Sequence, residues 1–306
     1  MFSTDASCTP NELLHGKWSI FYKYIDKLDA TNVNLVGLTA VHAPKGYFYA
    51  DPFSIKHNGT DYVFIETFDY VKGVLSVFDI NKPDIIRNVN IGEFVHLSYP
   101  HVFKHDGAFY MIPESCHLNR ISLYKAETFP LVWKKVKTLV DNLHSGDNTI
   151  LYHNNKWWMF SCVYKNTCNN FSIYHSDSLF GTWKEHAKFN PNNKHRNDKI
   201  SRCAGRIFID SIGRLIRPAQ YSEGGINGEG IILYHIQHID ELSYKETAVN
   251  LILANQVNNE LRASHTFSYS DGLLLLDGRP TRQEDHTNTM VDIKAELEKI
   301  NRLNEV

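Results

Sequence analysis

The chain has 306 residues, 42% of them hydrophobic and 22% charged, enough apolar material for a large folded core in one big domain or two ordinary ones. Its 32 basic and 34 acidic residues leave a formal net charge of -2, which excludes the overall basic field of a nucleic-acid binder and the acidic tail of a disordered segment. Five cysteines, at 8, 116, 162, 168 and 203, are scattered without a C-x-x-C pair, against a disulfide framework or a structural zinc site and in favour of a reducing compartment.

In chain order, the first ten residues, M-F-S-T-D-A-S-C-T-P, carry neither a basic n-region nor an apolar h-region, and no apolar run approaches the length of a membrane span. A cytoplasmic protein without a membrane span is expected. Residues 18–25, W-S-I-F-Y-K-Y-I, have strand composition. From there to about residue 282, short strands follow one another with turn signals at H-N-G59, H-D-G107, H-N-N155, S-I-G213 and S-D-G272. Each turn leads into an aromatic or aliphatic strand: D-Y-V-F-I, A-F-Y-M-I, K-W-W-M-F, R-L-I-R-P and L-L-L-L-D. A Gly or Asn there supplies the positive φ of a tight hairpin.

These turns lie 48, 48, 58 and 59 residues apart, a period that holds several strands and marks a β-propeller. Two β-sandwich domains would not predict one register across five turns. The expected fold is therefore all-β: a single five-bladed β-propeller with blades at about 45–90, 91–140, 141–195, 196–255 and 256–282. The last unit is short, so strand 18–25 is expected to complete it and remove exposed sheet edges. One amphipathic helix closes the chain at 289–303, with Val291, Leu297, Ile300 and Leu303 among charges.

The register also places functional side chains. Eight residues before each turn stand Asp51, Tyr99, Asp147, Gly205 and Ser264; seven after stand Glu66, Glu114, Cys162, Gln220 and Arg279. In a propeller the innermost strands line the central channel, so Asp51, Asp147, Glu66 and Glu114 are expected near one mouth. Carboxylates converging on a cavity split their pKa values, as acid/base chemistry requires. A calcium site is the competing reading, but no D-x-D-x-D spacing supports it, and no metal is expected. His101, Arg202, Arg206, Arg217, Arg262 and His265 collect near the inner strands. They are expected either to bind a carboxylate or phosphate or to neutralise the acids in inter-blade salt bridges. Most aromatics, Tyr99, Trp157 and Trp158 among them, read as core between blades, with one or two available to stack on a sugar ring.

The motifs F-Y-A-D-P-F, H-L-S-Y-P-H-V-F, Y-M-I-P-E-S, L-F-G-T-W-K-E-H, A-G-R-I-F, R-P-A-Q and S-H-T-F occur in order from about residue 45 to 280. This string resembles the five-bladed propeller at the N-terminus of plant glucosamine inositolphosphorylceramide transferases and of many bacterial polysaccharide-locus proteins, which is related to glycoside hydrolase family 43. In family 43 one aspartate is the catalytic base, a second tunes pKa and a glutamate is the general acid. By resemblance Asp51 matches the base and Asp147 the second aspartate. The fourth-blade stretch R-C-A-G-R-I-F offers Arg206 in place of the acid, with Glu114, Glu66 or Glu229 as substitutes unmatched by motif.

A glycosidase must protonate a poor leaving group, whereas a transferase using a nucleotide sugar needs a base and positive charge for the departing diphosphate. The expectation is thus an inverting glycosyltransferase with Asp51 as base, Asp147 and Glu114 positioning hydroxyls, and Arg206, Arg217, His101 and His265 holding phosphate. Glu66, Gln220 and Trp157 complete the substrate-binding set. The partners expected are a nucleotide-sugar donor and a glycan or glycolipid acceptor, with no further cofactor and no nucleic acid. The resemblance gives a pentose as a first guess for the sugar. A family-43-like hydrolase and a non-catalytic carbohydrate-binding propeller are the alternatives.

Overall fold

The structure is a computed structural model that describes residues 17–165, 168–192, 200–222, 228–280 and 291–304. The N-terminal decapeptide with Cys8, and positions 289 and 290 of the expected helix, lie outside the described residues. Five antiparallel sheets stand around a channel. The chain opens with β1 (Ser19–Tyr24) and β2 (Thr39–Val41). Blade 1 is β3 (Phe48–His57), β4 (Thr60–Phe68), β5 (Gly73–Asp79) and β6 (Arg87–Asn88). Blade 2 is β7 (Ser98–His105), β8 (Ala108–Glu114), β9 (Arg120–Thr128) and β10 (Val132–Asp141). Blade 3 is β11 (Ser145–His153), β12 (Lys156–Lys165), β13 (Cys168–Ser176) and β14 (Lys184–Glu185). Blade 4 is β15 (Phe208–Ile209), β16 (Leu215–Tyr221), β17 (Gly230–Ile239) and β18 (Tyr244–Leu253), followed by a short helix α1 (Ala254–Val257). In the fifth sheet β19 (Leu261–Ala263), β20 (Phe267–Ser270) and β21 (Leu273–Pro280) join β1 and β2, with β1 beside β21. Pairs such as Ile20 with Asp277 and Phe21 with Leu276 join the start of the chain to its end and close the ring.

The blades pack because their inner strands are apolar on both faces. In blade 1, Phe53 and Phe64 belong to the cluster shared with Tyr99, Val102 and Met111 of blade 2. Val63 and Ile65, on the opposite face, join Leu273 and Leu275 of the fifth sheet, as the period of two in a strand requires. Four hairpins carry positive φ at both central residues, at Asn58–Gly59, Asp106–Gly107, Asn154–Asn155 and Asp271–Gly272, the geometry of a two-residue type I′ turn. Helix α2 (Ile293–Leu303) starts at Asp292, whose side chain accepts from the backbone of Lys294 and Ala295. Ile300 is buried against blade 4, and the Asn301 amide clips the backbone of Ala248 with bonds of 2.7 and 3.1 Å. No helix among the described residues is long and apolar enough to cross a membrane.

Candidate active site

A backbone irregularity, repeated blade by blade, points the site residues into the channel. Between the pairs Ala50–Glu66 and Phe53–Phe64 two residues, Asp51 and Pro52, face one. The same shift occurs between Ser98–Glu114 and His101–Ile112, and between Gly146–Cys162 and Thr149–Phe160. These are β-bulges. Asp51 (φ 52°), Tyr99 (φ 44°), Asp147 (φ 50°) and Gly205 (φ 129°) are all left-handed at the same register. A non-glycine residue held there stores on the order of 1–3 kcal/mol, and such strain collects at functional sites. Proline after Asp51 and Tyr99 fits the bulge because the residue there has no ladder bond to donate.

Asp51 is 7% exposed. Its carboxylate accepts the Thr266 hydroxyl at 3.0 Å and the Tyr99 amide at 3.1 Å, while its own amide donates to Asp277 Oδ2 at 3.1 Å. His265 lies alongside, its Nδ1 2.6 Å from Asp277 Oδ2 and 3.8 Å from Asp51 Oδ1, and its ring stacks on Trp18 at 4.1 Å. Burial pushes the Asp51 carboxyl up to about 6; His265 opposes the rise, and Asp147 and Asp277 reinforce it. Burial works against a charge on His265, but Asp277 and then Asp51 overcome it and raise the imidazole to about 9. Asp277 itself, despite its burial, is held below the usual range by His265 and by backbone N–H donors.

Asp147, 2% exposed, is ion-paired with Arg202 and accepts Gln220 Nε2 at 3.0 Å. The Asp147 amide donates to Glu114 Oε2 at 2.9 Å. Burial, then Asp147, keeps Glu114 protonated well above the ordinary carboxyl range. Glu66 is raised likewise, by burial and then by Asp51 and Glu114. The mouth thus holds two neutral carboxyls, a carboxylate that titrates near neutrality, an imidazolium, and an Arg–Asp pair. Asp51, His265 and Asp277 also form a group with ligand atoms within 4.8 Å of one another. To bind a metal there, His265 would first have to give up the proton it donates to Asp277.

Asp51, Asp147, Glu66, Glu114, Gln220 and His265 are therefore brought together. The other predicted residues sit elsewhere. Arg217 is 1% exposed and bound to Glu246 through two nitrogens at 2.8 and 2.6 Å, sandwiched against Phe171 and Tyr234. It lies on the inter-blade face, since it is three residues from Gln220 and strand side chains alternate. His101 is 1% exposed, stacks on Phe53 at 5.1 Å and accepts the Ile150 amide at 3.4 Å; burial, then Arg206, holds it neutral. Arg206 crosses the channel below the mouth to the carbonyls of Ser54 and Val102, at 3.0 and 2.6 Å. Trp157 packs with His105 and Tyr152 at the other end of the β11–β12 hairpin from Asp147. Of the four groups expected to hold phosphate, only His265 lies at the mouth, and Arg202 joins it there through its pair with Asp147.

Asp277, Thr266, Trp18 and His96 were missed. Asp277 had a signal in the sequence: five residues after each turn stand Phe64, Ile112, Phe160, Pro218 and Asp277, one acid at an otherwise apolar register. The fourth-blade register position, Gly205, one residue before the Arg206 that stands in place of the acid, has no room for a side chain. A Cβ on Gly205 would lie 2.1 Å from the carbonyl oxygen of Phe267, and the Gly205 amide donates to the Tyr99 hydroxyl at 2.7 Å.

The sequence profile of the family described as glucosamine inositolphosphorylceramide transferase 1, N-terminal, matches residues 33–266. Curated relatives include glucosamine inositolphosphorylceramide transferase 1 of Oryza sativa subsp. japonica, 35% identical over 217 residues. That of Arabidopsis thaliana is 32% identical over 214 residues. The alignments cover 67% and 66% of this chain but 28% and 27% of those proteins, so the chain spans just over a quarter of the relatives' length. Among solved structures, a family 62 α-L-arabinofuranosidase catalytic domain of Coprinopsis cinerea superposes with a TM-score of 0.54 at 10% identity, covering 87% of this chain and 98% of that one. A family 117 glycoside hydrolase of Zobellia galactanivorans gives 0.51 at 10% identity, covering 94% and 98%. At such identity the likeness establishes the propeller fold alone.

Proposed function

The chain belongs to the family of the glucosamine inositolphosphorylceramide transferase 1 N-terminal domain, and from that membership we propose that it is a carbohydrate-active propeller that promotes inverting glycosyl transfer with Asp51 as base. The observation that carries this reading is the state of Asp51. It is pinned on both oxygens, aimed into the channel by a bulge, and basic enough at about 6 to take a proton near neutrality. The relatives' name supports transfer as the reaction.

In the proposed step an acceptor hydroxyl oxygen forms a bond to the anomeric carbon of a nucleotide sugar. The bond from that carbon to the diphosphate oxygen breaks and its electron pair leaves with the diphosphate. Asp51 takes the acceptor proton. His265 and Arg202 supply positive charge, and the neutral Glu114 donates a hydrogen bond to a sugar hydroxyl or to the departing group. The scattered cysteines, with Cys162 and Cys203 buried as free thiols, suit a reducing compartment, where nucleotide sugars are used.

One observation favours hydrolysis as a second reading: Glu66 and Glu114 are both held protonated, as a general acid must be. A thermal-shift panel of nucleotide sugars on wild type and Asp51→Asn, with product analysis, separates the readings. Transfer predicts a donor that stabilises both proteins and is turned over by wild type alone. Release of reducing sugar from an oligosaccharide without a donor supports hydrolysis, and binding without turnover leaves a binding module.

A further inference from the structure

On the blade 1–blade 2 rim of the mouth, next to Glu66, stands an aromatic shelf. Phe48 and Phe68 face each other across the β3–β4 pair with ring centroids 4.9 Å apart, and Tyr70 sets its edge against both, at 5.9 and 6.0 Å. Val71, next to Tyr70 in the chain, and Phe94, whose carbonyl accepts Lys72 Nζ at 3.4 Å, are 86% and 89% exposed. Tyr70 is left-handed at φ 66°, a strained conformation for a large side chain. Asp69 holds the loop in place, its Oδ1 accepting the amides of Val71 and Lys72 at 2.9 and 2.8 Å.

The shelf runs into a polar edge of fixed chemistry. His96 meets Phe68 edge-on at 5.7 Å, and its Nδ1 accepts the Gly73 amide at 2.9 Å. That bond fixes the tautomer of the neutral ring, so Nε2 carries the hydrogen and points it at Glu66 Oε1, 3.3 Å away. Gly73 makes the junction possible, since a Cβ there would lie 2.4 Å from Glu66 Oε1 and 2.8 Å from the Leu97 carbonyl. Glu66 is 6% exposed.

Resting on the reading of the mouth as a sugar site, we propose that this rim is a saccharide subsite, with Phe68 and Tyr70 as the stacking wall and the Glu66–His96 pair as the hydroxyl-binding edge, and that it holds a ring of the acceptor next to Asp51. Aromatic rings bordered by a carboxyl that the His96 N–H holds in place match the C–H face and hydroxyl rim of a pyranose. An acyl chain would leave the buried polar pair unused. Tyr70 keeps its strained backbone because its ring is needed at that place.

Neutral trioses, namely cellotriose, xylotriose and arabinotriose, are titrated calorimetrically into wild type, Tyr70→Gly, Phe68→Leu and Asp51→Asn. One triose is expected to bind wild type, and both shelf variants about tenfold more weakly or worse; Asp51→Asn, which meets the same ring at its hydroxyl, should lose less than either. Tyr70→Gly should melt close to wild type, since relief of the left-handed strain offsets the lost ring contacts and the added chain freedom, which separates lost contact from lost fold. Unchanged affinity in Tyr70→Gly overturns the subsite, as does failure of all three trioses to bind wild type at millimolar concentration. So does capture by phosphatidylcholine vesicles, with dependence on Val71 and Phe94, in place of triose binding. If triose binding follows the shelf while no donor is ever turned over, the transfer reading fails and the subsite stands.

Discussion

His265 and Asp277 form a charged pair: Nδ1 and Oδ2 are 2.6 Å apart, and the same oxygen accepts the amide of Asp51 at 3.1 Å. The amides of His265 and Thr266 both reach Asp277 Oδ1 at 2.9 Å. One buried carboxylate therefore fixes the base, the hydroxyl that pins the base and the imidazolium beside it. Asp277→Asn removes the charge while keeping an acceptor. The His265 ring should then titrate far below about 9, towards its ordinary 6.5. Turnover should lose about 10²-fold or more from misplacement of Asp51. Proton NMR of the ring Cε1–H follows the first, and an activity profile against pH the second.

Stability should fall as pH rises from 6.5 to about 9. Asp51 has a folded pKa of about 6 against an ordinary 3.8, so the folded chain holds that proton more tightly and stability is lost between those values. His265, raised from 6.5 to about 9, contributes stability that is complete below 6.5 and gone above about 9. Glu66 and Glu114 act in the same direction above 4.5, whereas Asp277, lowered from 3.8, acts oppositely at more acid pH. Below 6.5 the imidazoles of His96 and His101, depressed by burial, act against these acids by adding stability as pH rises, so the melting temperature should decline steadily only between 6.5 and about 9. Between 3.8 and about 6, Asp51→Asn should gain stability relative to wild type as pH rises, because it lacks the loss that Asp51 brings. Scanning calorimetry across a buffer series measures both.

Arg217 serves the core, and its loss should be a stability lesion. With the guanidinium gone, Glu246 stays buried beside Tyr244 without its two bonds to Arg217. Breaking a buried pair from one side costs about 3–5 kcal/mol. Arg217→Met should lose that much in urea unfolding, and Arg217→Met with Glu246→Gln should recover part of it. Turnover per folded molecule should not change in either.

The fourth-blade register position admits only glycine. Gly205→Ala forces a Cβ to within 2.1 Å of the Phe267 carbonyl at φ 129°, a cost on the order of 3 kcal/mol. Its melting temperature should drop by several degrees, and Gly205→Glu should fail to give a hydrolase. Release of reducing sugar by Gly205→Glu would contradict this account.

Four of the five turns were legible because a two-residue hairpin demands positive φ, which few residues supply cheaply, and the longer loop at Gly213 needs one left-handed residue as well. Once the turns were aligned, equal counting found Asp51, Asp147, Glu66, Glu114 and Gln220 together. The method works because the bulge recurs at one register and aims each residue alike. It failed for Arg217 and His101 because counting along a strand does not say which cation finds a partner on a neighbouring strand. Glu246 lies 29 residues beyond Arg217 and becomes its neighbour only after β16–β18 have paired. Trp18 against His265 was invisible for a similar reason, since the contact spans almost the whole chain and follows no repeat.

Ring closure carries a consequence for when the site can exist. Asp51 is made early, and Asp277, whose carboxylate fixes it, comes 226 residues later in a strand that must still pair with β1. A growing chain that has completed four blades has every other acid of the mouth in hand but no anchored base and no imidazolium. Chemistry would begin only once the circle is complete, so the acquisition of activity during refolding should report the last pairing of the two ends rather than the formation of the blades.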